Sequence, residues 1–239
     1  MKNYRFFIEK NFEKNKIIYL SEEELINQLK NVLRLKAKDK IIIFNNQEKE
    51  VLAEIVEINK NFIKIKILKI LKNQNESLSR KTILYCSILK KENFELVVQK
   101  ATEIGVKSIV PLITKRTVKQ NFKEERLKKI IKEASEQSER ISLPILNKIL
   151  TFEKAIKESL NNDINLFFER RGMNISELRK LKAEKVGVFI GPEGGFTDEE
   201  LALAKANNHK IISLGKLNLR AETAAIIGSY LAENFLSPL

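Results

Sequence analysis

The chain has 239 residues, 43% of them apolar and 31% charged. It can bury a real core in one or two domains, and no apolar run approaches the roughly 18 residues of a membrane span. Lys and Arg number 44 against 31 Asp and Glu, a net charge of +13 that favours a polyanion such as nucleic acid and makes its binding salt-dependent. A single cysteine, Cys86, excludes an internal disulfide and fits a cytoplasmic location, and a single histidine, His209, excludes a histidine-rich metal site.

The opening MKNYRFFIEKNF mixes Lys and Glu into its apolar residues, unlike a signal peptide. Residues 1–72 then read as short strands around one helix: YRFFI, KIIIF, EVLAEIVEI and FIKIKILKI, with Asn-rich turns at Asn45-Asn46 and Asn59 to Asn61. The helix is expected to start at Ser21, capped by its hydroxyl with Glu24 reaching back, and to present Leu25, Leu29, Val32 and Leu33 on one face. KNQNESLSR, Lys72 to Arg80, is polar and aperiodic and is read as the linker. This divides the chain into a basic, strand-rich domain over 1–72 and a larger domain over 73–239.

From Lys81 the pattern alternates: TILYCSI, a helix from Asn93, SIVPLI, a helix from Lys123, INLFF, KVGVFI, a helix from Thr197, KIISL and a final helix. That rhythm predicts an α/β fold with a mainly parallel sheet. Cys86 lies in the apolar TILYCSIL and is read as a buried structural thiol. Asn207-Asn208-His209 reads as an exposed polar turn. The last helix carries a stripe of small residues, Ala221, Ala224, Ala225, Gly228 and Ala232, open to packing within the chain or between two copies.

Only eight glycines occur, and five of them, Gly187, Gly191, Gly194, Gly195 and Gly215, fall within one stretch. Gly191, Gly194 and Gly195 follow the strand KVGVFI and precede a helix whose Thr197 and Glu200 form a capping-box pattern. A turn without side chains at a strand's carboxyl end lets backbone N–H and C=O groups approach a flat ligand. KIISL ends in Gly215 and the loop LNLRAET, so two neighbouring strands could present both loops to one crevice. Neither G-x-G-x-x-G nor G-x-x-x-x-G-K-[ST] is present, which argues against ordinary dinucleotide and NTP sites. Where lysine is abundant, an arginine marks a place that needs a planar fork, and this singles out Arg5, Arg34, Arg116, Arg140 and Arg220 ahead of Arg170, Arg171 and Arg179.

The phrases IGPEGGFTDEE and LGKLNLRAETAA resemble the signature loops of the RsmE family, SPOUT-superfamily enzymes that methylate uridine N3 in 16S ribosomal RNA. YRFFI, NVLRLK, KKENFELVVQKATEIGVKSIVPL, TKRTVK and EASEQSERISLP extend the resemblance in order over nearly the whole chain. It departs at Asn218 and Ala221, where the family more often has Ile or Val and Thr. The resemblance implies a C-terminal trefoil-knotted SPOUT methyltransferase domain behind a small N-terminal PUA-like β-barrel, working as a homodimer with no metal and no membrane. It further implies an S-adenosylmethionine site made from Phe168, Ile190, Gly191, Gly194, Gly195, Leu214, Gly215, Leu219 and Thr223. Arg220 would orient uracil or stabilise charge at N3, with Glu222 holding its guanidinium, and Glu193 and Glu136 are weaker choices for the base. Arg5, Arg34, Arg116 and Arg140 would contact the 16S rRNA, within the 30S subunit. A non-catalytic RNA-binding assembly factor and an enzyme acting on another RNA or base atom remain alternatives at this point.

Overall fold

The computed structural model describes residues 4–47, 49–72, 81–118 and 122–236. Positions 73–80 of the expected linker lie outside the described residues. The chain divides into two compact units, one of residues 1–77 with Ser135–Leu143 and one of Leu78–Ala134 with Pro144–Leu239.

In the first unit β1 (Arg5–Phe7), β2 (Ile17–Leu20), β3 (Lys40–Phe44), β4 (Glu50–Ile58) and β5 (Ile63–Lys72) pair in the order β1-β3-β4-β5-β2. The pairing of β1 with β3 is parallel and the others are antiparallel, so the barrel implied by resemblance is realised as a mixed half-barrel with β1 and β2 at its edges. Alternation fixes its inner face: Ile63, Ile65 and Ile67 are fully buried while Lys64 and Lys66 between them are not. The helix between β2 and β3 differs from expectation. Its α-helical part, α1 (Glu23–Asn27), has Glu22 as N-cap with no side-chain cap, so the Ser21–Glu24 box does not form. It continues as a π-helical turn over Gln28–Val32, closed by Leu33 N donating to Gln28 O at 2.9 Å. The wider turn keeps Leu25 and Leu29 in the core and swings Val32 out to 67% exposure.

Ser135–Leu143 completes this unit. Glu136 accepts from the Phe7 backbone N–H at 2.9 Å, at the edge strand β1. Arg5 lies under it, 7% exposed, ion-paired with the buried Glu50, donating to the Arg140 carbonyl at 2.7 Å and resting 5.2 Å from the Phe44 ring centre.

The second unit is built from β6 (Lys81–Ser87), α2 (Lys91–Ile104), β7 (Ser108–Ile113), α3 (Glu124–Gln137), β8 (Ile145–Leu146), β9 (Leu150–Thr151), α4 (Phe152–Ser159), β10 (Ile164–Asn174), β11 (Lys185–Ile190), α5 (Asp198–Ala206), β12 (Lys210–Ser213) and α6 (Ala221–Asn234). The last turn of α3 belongs to the first unit. All pairings are parallel, in the order β12-β10-β11-β6-β7-β8, with β9 also on β7. α4 is an element not expected from the sequence; its buried Phe152, Ala155, Ile156 and Ser159 have helical spacing behind a Thr151 N-cap. The parallel strands meet through a ladder of rings. Tyr85 of β6 stacks on Phe189 of β11 at 4.3 Å, Phe189 on Phe167 of β10 at 4.2 Å, and Phe152 and Phe196 pack edge-on or tilted against Phe167. Cys86 is fully buried and burial pushes its thiol pKa upward, in keeping with a structural role. Among the described residues no helix is long and apolar enough to cross a membrane.

His209 corrects the reading of an exposed turn. It is 5% exposed, its ring edge-on to Phe167 and Phe189 at the end of the ladder. A carbonyl can only accept, so Nδ1 donates to Asn207 O at 2.8 Å and Nε2 faces the Ser159 hydroxyl at 2.8 Å. Desolvation lowers its pKa below the ordinary 6.5. The unfolded chain therefore takes up this proton first as pH falls, and the folded state loses stability below about pH 6.5. As this is the chain's one histidine, the melting temperature should fall between pH 7.5 and 5.5, and His209→Gln should flatten that slope while lowering the plateau. Phe189→Ala, which removes the middle ring of the ladder, should destabilise by about 3–5 kcal/mol in denaturant unfolding.

Candidate active site

At the carboxyl ends of β10, β11 and β12 the second unit opens a crevice of about 810 Å³. Its lining includes Phe168 from β10, Ile190 through Phe196 after β11, and Leu214, Gly215 and Leu217 through Glu222 after β12. The two glycine-bearing loops thus converge, although their strands are not neighbours: β10 lies between them and supplies Phe168. Ligand crevices of open parallel sheets form at this end of the strands.

The first loop is shaped by backbone constraints. Gly195 has φ +70°, and its N–H closes a turn on Pro192 O at 2.8 Å. A Cβ on Gly191 would stand 3.1 Å from Phe196 N, leaving little room for any larger residue. The capping box at the start of α5 forms as read: the Thr197 hydroxyl accepts from Glu200 N, and the Glu200 carboxylate accepts from Thr197 N at 2.8 Å. Glu200 is 3% exposed and its other oxygen accepts from Lys115 N at 2.8 Å, which fixes the turn carrying Arg116. Arg116 in turn donates to Gly194 O at 2.7 Å and to Phe196 O at 3.3 Å. Glu193 accepts from the Lys90 backbone N–H at 3.1 Å, tying the loop to the start of α2. Arg116, expected at the RNA, and Glu193, a candidate base, thus serve as cross-links that leave no signal in the sequence, because each partner lies far away along the chain.

The second loop turns at Gly215, whose φ of +133° suits glycine. It ends at Arg220, the N-cap of α6, and Glu222 stands in that helix's first turn. The Arg220 side chain is 85% exposed and its Nη1 lies 3.9 Å from Glu222 Oε1, an ion pair too long for a hydrogen bond. Glu222 is itself 7% exposed, and its Oε2 is buried without a hydrogen-bond partner. Phe168 is 7% exposed and its ring lies against α6 at Gly228, where a Cβ would come within 2.7 Å of Phe168 Cε2. Gly228, Ala225 and Ala232 of the small-residue stripe are buried on that side of the helix, which packs on α2, β6 and β11.

Of the residues singled out in the sequence, Phe168, Ile190, Gly191, Gly194, Gly195, Leu214, Gly215, Leu219, Arg220, Glu222 and Arg116 line the crevice, and Thr223 does not. Arg170 and Arg171, ranked low there, also line it. Arg5, Arg140 and Glu136 belong to the first unit, where Arg5 is engaged as described, and Arg34 stands exposed there with φ +55°. Among the described residues no three His, Cys, Asp or Glu side chains group as metal ligands.

Residues 76–231 match the family model of the RNA methyltransferase domain, and residues 23–68 that of the RNA methyltransferase PUA domain. The ribosomal RNA small subunit methyltransferase E of Rickettsia conorii is 35% identical over 95% of this chain and 93% of its own, and that of Mesomycoplasma hyopneumoniae 32% identical over 93% and 96%. Among solved structures, a Legionella pneumophila methyltransferase in complex with S-adenosylmethionine matches with a TM-score of 0.87 and 29% identity over 98% of both chains. The ribosomal RNA small subunit methyltransferase E of Neisseria gonorrhoeae, bound to S-adenosylmethionine, matches with a TM-score of 0.88 and 25% identity over the same shares. With a PUA half-barrel, a parallel α/β unit and a crevice assembled from the two expected loops, the chain belongs to the ribosomal RNA small subunit methyltransferase E family of RNA methyltransferases.

Proposed function

We propose that this chain moves the methyl group of S-adenosylmethionine to N3 of a uridine in 16S ribosomal RNA. The observation that carries the reading is the crevice itself, lined by the glycine-bearing loops after β11 and β12 together with Phe168. A Cβ at Gly191 would crowd the first loop, and Gly195 and Gly215 hold turns that side chains disfavour, so the walls stay open to a flat adenosine. When bound, S-adenosylmethionine supplies an electrophilic methyl group on sulfur.

The chain's own residues align and polarise. Holding donor and acceptor in line supplies much of the acceleration, and the N3 edge must be unpaired before it can enter. Arg220 is solvent-exposed at the mouth of the second loop, free to meet a uracil carbonyl and to stabilise the charge that develops as N3 loses its proton. Glu222 limits where that guanidinium can swing. Leu219 and Thr223 flank this pair along the chain, the first lining the crevice and the second in the first turn of α6.

The chain would act as a homodimer in the cytoplasm on rRNA within the 30S subunit. Exposed Leu217, Ile227, Tyr230 and Phe235, on and beside α6, supply apolar surface for a second copy. Arg34 and Arg140 in the basic first unit would contact RNA, and the loops of the crevice would lie in a trefoil-knotted path. The strand order that sets β10 between β11 and β12 supports that path.

Gly191→Val should raise the dissociation constant for S-adenosylmethionine by at least tenfold in calorimetry, because its branched side chain must displace Phe196 or enter the crevice. Arg220→Ala should lower the rate of methyl transfer by about 10²–10³-fold, the magnitude for loss of one group aimed at developing charge. It should leave the melting temperature and cofactor affinity unchanged. Equal losses of cofactor binding and rate would place Arg220 in the cofactor site instead.

A further inference from the structure

β10 meets β12 twice at one place. Phe168 and Met173 both lie opposite Ile212, so the segment Glu169 to Gly172 between them is extruded from the sheet. Its far end is pinned: a Cβ on Gly172 would fall 2.4 Å from the Ile212 carbonyl carbon and 2.7 Å from that of Ile211, a distance only glycine tolerates. Bulges beside active sites re-aim side chains, and this one presents Glu169, Arg170 and Arg171 to the crevice.

Two other cations there, Arg116 and Arg220, already have partners. Arg116 is held by Gly194 and Phe196 carbonyls, and Arg220 has Glu222 nearby. Arg170 and Arg171 are both exposed, and among the described residues neither has a hydrogen-bond or ion-pair partner. Two adjacent unpaired guanidinium forks on a short, glycine-anchored bulge are suited to an anion that arrives from solution.

We propose that Arg170 and Arg171 clamp the RNA backbone phosphates next to the nucleotide that enters the crevice. This rests on the methyltransferase reading above. The clamp positions the strand and reads no sequence, since phosphate contacts carry register rather than base identity. A carboxylate of the bound cofactor is the other anion of similar chemistry, and the two sources separate experimentally.

The test compares the full chain with Arg170→Ala/Arg171→Ala and Arg170→Lys/Arg171→Lys. It measures gel-shift affinity for small-subunit RNA across a salt series, the KM for that RNA, and the dissociation constant for S-adenosylmethionine. For the alanine pair the expected result is an RNA KM raised about tenfold or more and a slope of log affinity against log salt shallower by roughly 1–2. Its kcat and cofactor affinity should stay within about threefold, and the lysine pair should recover the slope. Unchanged RNA affinity and slope would overturn the clamp, as would weakened cofactor binding with RNA binding intact, which assigns the arginines to the cofactor. If the wild-type chain transfers no methyl group, the functional reading fails, and the salt slopes of the two variants still decide the clamp.

Discussion

The stack of Tyr85, Phe189 and Phe167 sets the register on which the crevice depends. These residues face one another across β6, β11 and β10, with interplanar angles of 6° and 9°. Parallel strands carry evenly spaced hydrogen bonds that tolerate slippage, whereas three flat rings stacked on one face do not. Successive residues point to opposite faces, so placing Phe167 and Phe189 in the ladder sends Phe168 and Ile190 to the other side. Phe168 then meets Gly228 of α6 and the crevice. Fixing the ladder therefore fixes where the carboxyl ends of the strands stop and where both loops begin.

The loops are then held by a few charge-assisted contacts. Glu200 caps α5 and also receives Lys115 N, Arg116 holds the carbonyls of Gly194 and Phe196, and Glu193 receives Lys90 N. Glu200 with Lys115, Arg116 with Gly194 and Phe196, and Glu193 with Lys90 each join segments distant in sequence, and Arg116 and Glu193 also line the crevice they brace. Glycine-bearing loops demand such bracing, because glycine turns have the most conformational freedom to lose. The cost falls on a small number of buried polar groups, among them Glu222, whose second oxygen finds no hydrogen-bond partner among the described residues.

Much of this was legible in the sequence. Period-two and helical patterning located most strands and helices, the capping box at Thr197 and Glu200 formed as read, and the glycine cluster marked the crevice. What was not legible depends on contacts between distant segments. The order that sets β10 between β11 and β12 leaves no trace in local periodicity. Asn207-Asn208-His209 has the composition of a surface turn, yet Phe167, Phe189 and Ser159 bury the imidazole. Arg5 has the look of a free cation until Glu50 and the Arg140 carbonyl are brought to it from far along the chain. The Ser21 cap does not form because Glu22 takes the N-cap position, and no residue in the stretch announces the π turn over Gln28–Val32.

The central claim, that the crevice delivers a methyl group to uridine N3, is tested most directly by incubating the full chain with methyl-labelled S-adenosylmethionine. Naked 16S rRNA and 30S particles from a strain lacking this activity are the acceptors, and the product is mapped by nucleoside mass spectrometry. One labelled 3-methyluridine at a single position is the expected result. Absence of label in both substrates, or label on another base or atom, would contradict it.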